Sequence, residues 1–182
     1  MVAAVKKEII KLIEKKGPLR GSEIRGAIGD DSIRIWKLCM LSKELTLKRL
    51  GRRYLRLDRN VEGFARLSPS ILREFLTYSV VGLADEPNEL EQRAQEIICT
   101  IKEISRSKFE LVRNFVSDII HRFESEGILD YEFCFIIAGD IVYDMAHDVP
   151  RPERSTGKMV KGSDIDLIVI LEDRTPDVIM KK

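Results

Sequence analysis

Ten residues near the C-terminus, Gly162-Ser163-Asp164-Ile165-Asp166-Leu167-Ile168-Val169-Ile170-Leu171, set two carboxylates two positions apart at the head of an apolar run. The run is short, rich in β-branched residues and opens on Gly-Ser, so it predicts a strand bedded in a core. Successive side chains on a strand alternate between faces. Asp164 and Asp166 are therefore expected to project together, with Ile165 turned into the core behind them. Two carboxylates so placed repel one another unless a cation or a proton lies between them. The competing reading is an ordinary polar turn that starts a buried strand, since Gly, Ser and Asp are all common turn formers.

Upstream, Phe133-Cys134-Phe135-Ile136-Ile137-Ala138-Gly139-Asp140 is an apolar run that ends in a glycine, followed by Ile141-Val142-Tyr143-Asp144-Met145-Ala146. A strand, a tight Gly turn and a short helix are predicted. This unit followed by an Asp-x-Asp strand resembles the nucleotidyltransferase superfamily typified by DNA polymerase beta and the kanamycin nucleotidyltransferases. The resemblance covers roughly residues 128–172 and is best at Ser163-Asp164-Ile165-Asp166-Leu167. It implies that Asp164 and Asp166 are catalytic and hold Mg²⁺ or Mn²⁺. It also implies an NTP whose phosphates are approached by the Gly139-Asp140 turn and by Ser163, with Arg151, Arg154, Lys158 and Lys161 clamping the triphosphate or gripping an acceptor strand. Three features depart from the family pattern. Position 140 is Asp where Ser or Gly is usual, the interval from Gly139 to Asp164 is longer, and no later strand with a third carboxylate is evident before Lys182. The excess length is a basic loop punctuated by Pro and Gly, residues 148–161. Within it Ser155-Thr156-Gly157-Lys158 is not a Walker A motif, because position 152 is Pro rather than Gly.

Charge divides the chain. Residues 1–68 carry 17 Lys/Arg against 8 Asp/Glu, and residues 69–182 carry 14 against 22. A basic module tied to an acidic one is the expected organisation. With 182 residues, 44% of them hydrophobic, the chain is long enough to bury a sizeable core. Lys6, Lys7 and Lys11 interrupt the apolar N-terminus, so neither a membrane span nor a secretion signal is expected, and the cytoplasm is the default location. Cys39, Cys99 and Cys134 are odd in number and lie within apolar patterns, which suits reduced core residues.

In the basic module, Val2, Val5, Ile9, Leu12 and Ile13 recur at helical spacing up to Gly17-Pro18. A second short helix is expected from a Ser22 cap to Gly29, and a third after Asp30-Asp31-Ser32 with Ile33, Trp36, Leu38, Met40 and Leu41. Residues 45–57 predict two strands hairpinned around Gly51. Three helices and a basic hairpin resemble a winged helix-turn-helix domain, which implies a double-stranded DNA partner. On that resemblance Arg34, Lys37 and Lys43 belong to the third helix, and Lys48, Arg49, Arg52, Arg53 and Arg56 to the wing. Arginine suits phosphate through its two-pronged donor geometry. The alternatives are a solvated basic face and a dimerisation wing.

Pro69 introduces a helix expected to run through Gly82, and an apolar stripe from Ile97 to Phe123 predicts a long helix. That helix is expected either to break near Ser105-Arg106-Ser107 or to pack against a second copy, giving a homodimer. His121 beside the stripe reads as structural. The expected fold is α+β: an N-terminal winged helix-turn-helix (1–68), a helical connector (69–127) and a C-terminal partial nucleotidyltransferase-like α/β unit (128–182) that the abrupt polar end leaves open to truncation. The leading activity is metal-dependent transfer of a nucleoside monophosphate from an NTP. The alternative is a non-catalytic DNA-binding regulator or antitoxin-like protein with a degenerate transferase domain.

Overall fold

Gly17 ends the first helix, α1 (Val2–Lys16), at φ 75°, with its N–H donating to the Ile13 carbonyl at 2.8 Å. Only a residue without Cβ takes that left-handed conformation cheaply. In a computed structural model, residues 2–57, 65–125, 133–152 and 158–172 are described. They form a mixed α and β chain of five helices and small antiparallel sheets, divided into two units, Met1–Thr100 and Ile101–Lys182.

In the first unit a short strand β1 (Leu19–Arg20) leads into α2 (Gly21–Ile28). The cap is not Ser22. Arg20 occupies the N-cap, and the Glu23 carboxylate reaches back to accept the Arg20 backbone N–H at 2.6 Å, which places Ser22 inside the first turn. Asp31 caps α3 (Ser32–Leu41) by accepting from the N–H groups of Ile33 and Arg34 at 3.1 and 3.0 Å. Then come β2 (Leu45–Arg49), β3 (Tyr54–Leu57), β4 (Ala65–Ser68), α4 (Ile71–Tyr78) capped by Ser70, and β5 (Ser79–Leu83).

The expected hairpin between residues 45 and 57 does not form. Both strands exist, but β2 pairs with β5 and β3 with β4, all antiparallel. The cause lies in Ser79-Val80-Val81-Gly82, read from sequence as the tail of a helix. Val80 and Val81 are fully buried, and β5 is the central strand of the sheet β1-β5-β2, with Val81 opposite both Leu19 and Leu47. Adjacent β-branched residues suit a strand covered on both faces. The Leu50 N–H donates to the Tyr78 carbonyl at 2.8 Å, which carries the β2-β5 pairing past the end of β2 and leaves Gly51 outside any hairpin. The first unit therefore extends beyond residue 68, because the following segment supplies α4 and the central strand.

Ile9, Ile13, Leu19, Ile24, Ile35, Cys39, Leu45, Phe75 and Val81 form its core. Each large side chain buried there stabilises the unit by roughly 1.5–3 kcal/mol. Helices α2 and α4 meet so closely that a Cβ on Gly21 would run into the Phe75 carbonyl. Of the cysteines only Cys39 is a core residue, its thiol pushed up to about 12 by burial. Cys99 and Cys134 are exposed, contrary to the reading of all three as core.

Helix α5 is unbroken over Pro87–Ser125. The Ser105 hydroxyl, at the expected break, donates to the Ile101 carbonyl at 2.9 Å and is absorbed by the helix. His121 is not packed: its side chain is 76% exposed and its Nδ1 lies 3.2 Å from Glu124.

The second unit takes up α5 from Ile101 and adds β6 (Phe133–Ala138), a 3₁₀ turn at Gly139–Ile141, β7 (Pro150–Pro152), β8 (Met159–Lys161) and β9 (Asp166–Leu171). Strands β6 and β9 pair antiparallel, as do β7 and β8. Among the described residues its buried apolar side chains are Ile101, Val112, Ile141, Met145 and Ala146, from the helix, the turn and the segment after it. No residue of β6 or β9 is buried. Ile165 is 38% exposed, so it does not turn into a core as expected.

Candidate functional site

The β6-β9 register sets Ala138 opposite Asp166, so the turn that closes β6 and the residue that opens β9 share one corner. Gly139 enters that turn at φ 78°, and a Cβ built on it would strike the Asp166 carboxylate. The conformation requires glycine, and any side chain here would also have to displace the Asp166 carboxylate packed against it. Asp140, 9% exposed, is buried in the turn, and its carbonyl accepts the Met145 N–H at 2.8 Å.

Asp166 is exposed and is the first residue of β9. Asp164 is also exposed but lies in irregular chain before the strand begins, so the alternation argument does not govern the pair. Ser163, 7% exposed, is tied down by its neighbours: its N–H donates to the His147 carbonyl at 3.0 Å and its hydroxyl accepts the His147 N–H at 3.1 Å. The hydroxyl's own hydrogen is left to donate. The Ser163 carbonyl accepts from the Lys108 ammonium.

Lys161 ends β8, opposite Pro150, and is exposed, as is Lys158 just before that strand. Arg151 is the middle residue of β7, opposite Val160. Arg154 lies outside the described residues.

Among the described residues no group of three or more His, Cys, Asp or Glu is gathered at metal-binding distance. The donors at the Gly139 corner are carboxylate oxygens. Such a set fits Mg²⁺, which characteristically takes one or two carboxylates and completes its octahedron with water and substrate phosphate. It does not offer the three or four nitrogen and sulfur ligands of a zinc site.

The basic residues of the first unit divide into two sets. Glu74 on α4, 7% exposed, binds Arg49 at 2.8 Å and Arg53 through both carboxylate oxygens, with Nη2 to Oε1 at 2.9 Å. This contact holds the Arg53 guanidinium above its ordinary range. Lys48 pairs with Glu91, whose carboxyl is held down by Lys48 and then by Gln95; Arg34 pairs with Asp30 at 3.2 Å. Lys37, Lys43 and Arg52 are exposed and make no ion pair among the described residues. Arg56 lies on β3 opposite Arg66.

Sequence reasoning missed Glu74, Ser105 and Lys108. Each acts across a wide sequence separation, 21 residues for Arg53 to Glu74 and 55 for Lys108 to Ser163. No local pattern announces such contacts. No family model, curated protein or solved structure matches this chain. No described helix is long and apolar enough to cross a membrane.

Proposed function

We propose that the chain is a metal-dependent nucleotidyltransferase that moves a nucleoside monophosphate from an NTP to an acceptor hydroxyl at the corner formed by Gly139, Asp164 and Asp166. One observation carries the reading: the Gly139 backbone turn and the Asp166 carboxylate are packed against each other. A phosphate needs the first and a hard cation needs the second. Asp164 and Asp166 would hold Mg²⁺ or Mn²⁺, which when bound neutralises charge on the phosphoryl oxygens. Gly139, without a side chain, lets backbone N–H groups approach phosphate. Ser163 offers its free hydroxyl hydrogen, and Lys158 and Lys161 contribute positive charge on the neighbouring β8 edge. The acceptor oxygen bonds to the α-phosphorus as the bond from that phosphorus to the bridging oxygen breaks, pyrophosphate departs and the hydroxyl proton passes to water.

The first unit supports a winged-helix reading in which β3, β4 and α4 are inserted between the two strands of the wing. On this reading double-stranded DNA is contacted by Lys37, Lys43 and Arg52, exposed cations that no carboxylate holds among the described residues. The second reading is a DNA-binding regulator with an inactive transferase unit. It is favoured by the lack of a third carboxylate beside Asp164 and Asp166 among the described residues, and by Asp140 in place of Ser or Gly.

Incubation with Mg²⁺ and each α-³²P-labelled NTP, with the protein itself and added nucleic acid as acceptors, separates the two. Mg²⁺-dependent label transfer that disappears in Asp164→Asn with the far-UV spectrum unchanged is the expected result. Transfer by Asp164→Asn at the wild-type rate would end the assignment, and nucleotide binding without transfer would favour the regulator.

A further inference from the structure

Ser105 and Lys108 stand three residues apart on α5, so their side chains leave the same face of the helix. Both reach segments that flank the acidic pair. The Ser105 hydroxyl, 2% exposed, accepts the Ala146 N–H at 3.0 Å, and the Lys108 ammonium donates to the Ser163 carbonyl, one residue ahead of Asp164. His147 and Ser163 close a reciprocal pair of hydrogen bonds between the two segments. Gly162, at φ 83°, passes beneath the His147 carbonyl so closely that a Cβ would not fit, and its N–H donates to the Val149 carbonyl at 3.4 Å. The Gly162 N–H, the Ser163 N–H and the Ser163 carbonyl, which fix the approach to Asp164, are therefore each anchored, while Asp164 itself is exposed.

Lysine is a costly choice for such an anchor. Ordering its long side chain sacrifices more rotamer freedom than the shorter Ser105 loses for a comparable tie. Its charge-assisted bond is also stronger than a neutral one, and it acts on the peptide group from which Asp164 departs.

We infer that Lys108 is the positioning residue of the Asp164 and Asp166 pair: by holding the Ser163 carbonyl it fixes how Asp164 leaves the chain relative to Asp166 on β9. It thereby sets the affinity of the pair for a divalent cation. This rests on the metal-binding reading of the two aspartates. A positive charge near a cation site opposes binding, so removing Lys108 has two effects of opposite sign. Because both aspartates are exposed, solvent screens the charge effect, whereas lost positioning of ligands typically costs 10- to 100-fold in metal affinity. Position wins.

Mn²⁺ binding to the full chain, read from loss of the free-ion electron paramagnetic resonance signal, tests this in four proteins: wild type, Asp166→Asn, Lys108→Met and Lys108→Arg. The expected result is a site lost in Asp166→Asn, weakened about 10-fold or more in Lys108→Met, and held within about threefold of wild type in Lys108→Arg. Circular dichroism should be unchanged throughout. In transfer assays Lys108→Met should need more metal for half-maximal rate and keep kcat near wild type at saturation, a split that a merely structural role would not produce. Lys108→Gln, of shorter reach, carries the test if the Met variant does not fold. Wild-type Mn²⁺ affinity in a folded Lys108→Met or Lys108→Gln protein overturns the inference alone. A wild-type chain without an Asp166-dependent Mn²⁺ site overturns both the inference and the reading beneath it.

Discussion

The two units use their apolar and charged residues in opposite ways. In the first, four helices and a central strand close over Ile9, Ile24, Ile35, Phe75 and Val81, and half of the cations proposed from sequence as contacts are bound by carboxylates of the same unit. In the second, the β6-β9 sheet leaves Ile168, Val169 and Ile170 about half exposed, while buried polar contacts from Ser105, His147 and Ser163 brace an exposed pair of aspartates. The lesson concerns where free energy is stored. Packing secures the first unit, whereas a few directed hydrogen bonds secure the corner of the second. Directed bonds fix geometry, which is what the proposed metal site needs.

If that contrast is right, truncation to Ala should cost far more in the first unit than in the second. Phe75→Ala removes a ring that is 1% exposed from the first core, and should cost about 3–5 kcal/mol. Urea titration followed by Trp36, the sole tryptophan and a residue partly buried against that core, reads this directly. Ile168→Ala, in a strand where the side chain is 49% exposed, should cost no more than about 1 kcal/mol. Similar losses in the two variants would erase the distinction.

Gly21→Ala is the next largest. A new Cβ has to displace the Phe75 carbonyl, so α2 and α4 must separate, and overpacking of this kind typically costs about 1–3 kcal/mol. An unchanged urea midpoint would mean that the two helices are less tightly engaged than the structure has them.

The charge half of the comparison is sharpened by Glu74→Gln. Neutralising it releases Arg49 and Arg53 from their shared carboxylate. If duplex DNA is the partner, both guanidiniums become available to phosphate, and the slope of log K against log[salt] should steepen by up to about 1.8. Arg52→Gln should flatten that slope by about 0.9, with no preference among sequences. Were Arg52→Gln to leave it unchanged, the wing side would not be the contact surface.

Local signals made much of this legible. Gly17, Gly29 and Asp31 marked helix ends because caps and left-handed glycines act within a turn. Gly139 and the Asp-x-Asp segment marked the corner because a tight turn and a strand head are both short-range features. What stayed hidden was pairing. Leu45-Thr46-Leu47 and Tyr54-Leu55-Arg56 each read as strands, yet which strand would receive them depended on Val80-Val81, more than thirty residues beyond β2. The same limit hid Glu74 and Lys108: a charged residue on a helix looks alike whether it faces solvent or closes a bond to a distant loop.

The smallest effect expected is in acid. Lys6 donates to Glu44 at 2.8 Å and Ser42 adds a second bond, which together hold the Glu44 carboxyl down to about 2. A carboxyl depressed in the folded state contributes stability that is fully present above its unfolded value near 4.5 and is lost as pH falls toward 2. The pair is exposed and screened by solvent, so the contribution is small. In Glu44→Gln that one increment of pH dependence disappears, and the midpoint of urea unfolding should fall less steeply between pH 4.5 and 2 than in wild type. High salt should narrow the gap between the two proteins, since it weakens an exposed ion pair. An identical acid limb in both would show that Lys6 and Glu44 do not meet in solution, and with them would go the tie between α1 and the start of β2.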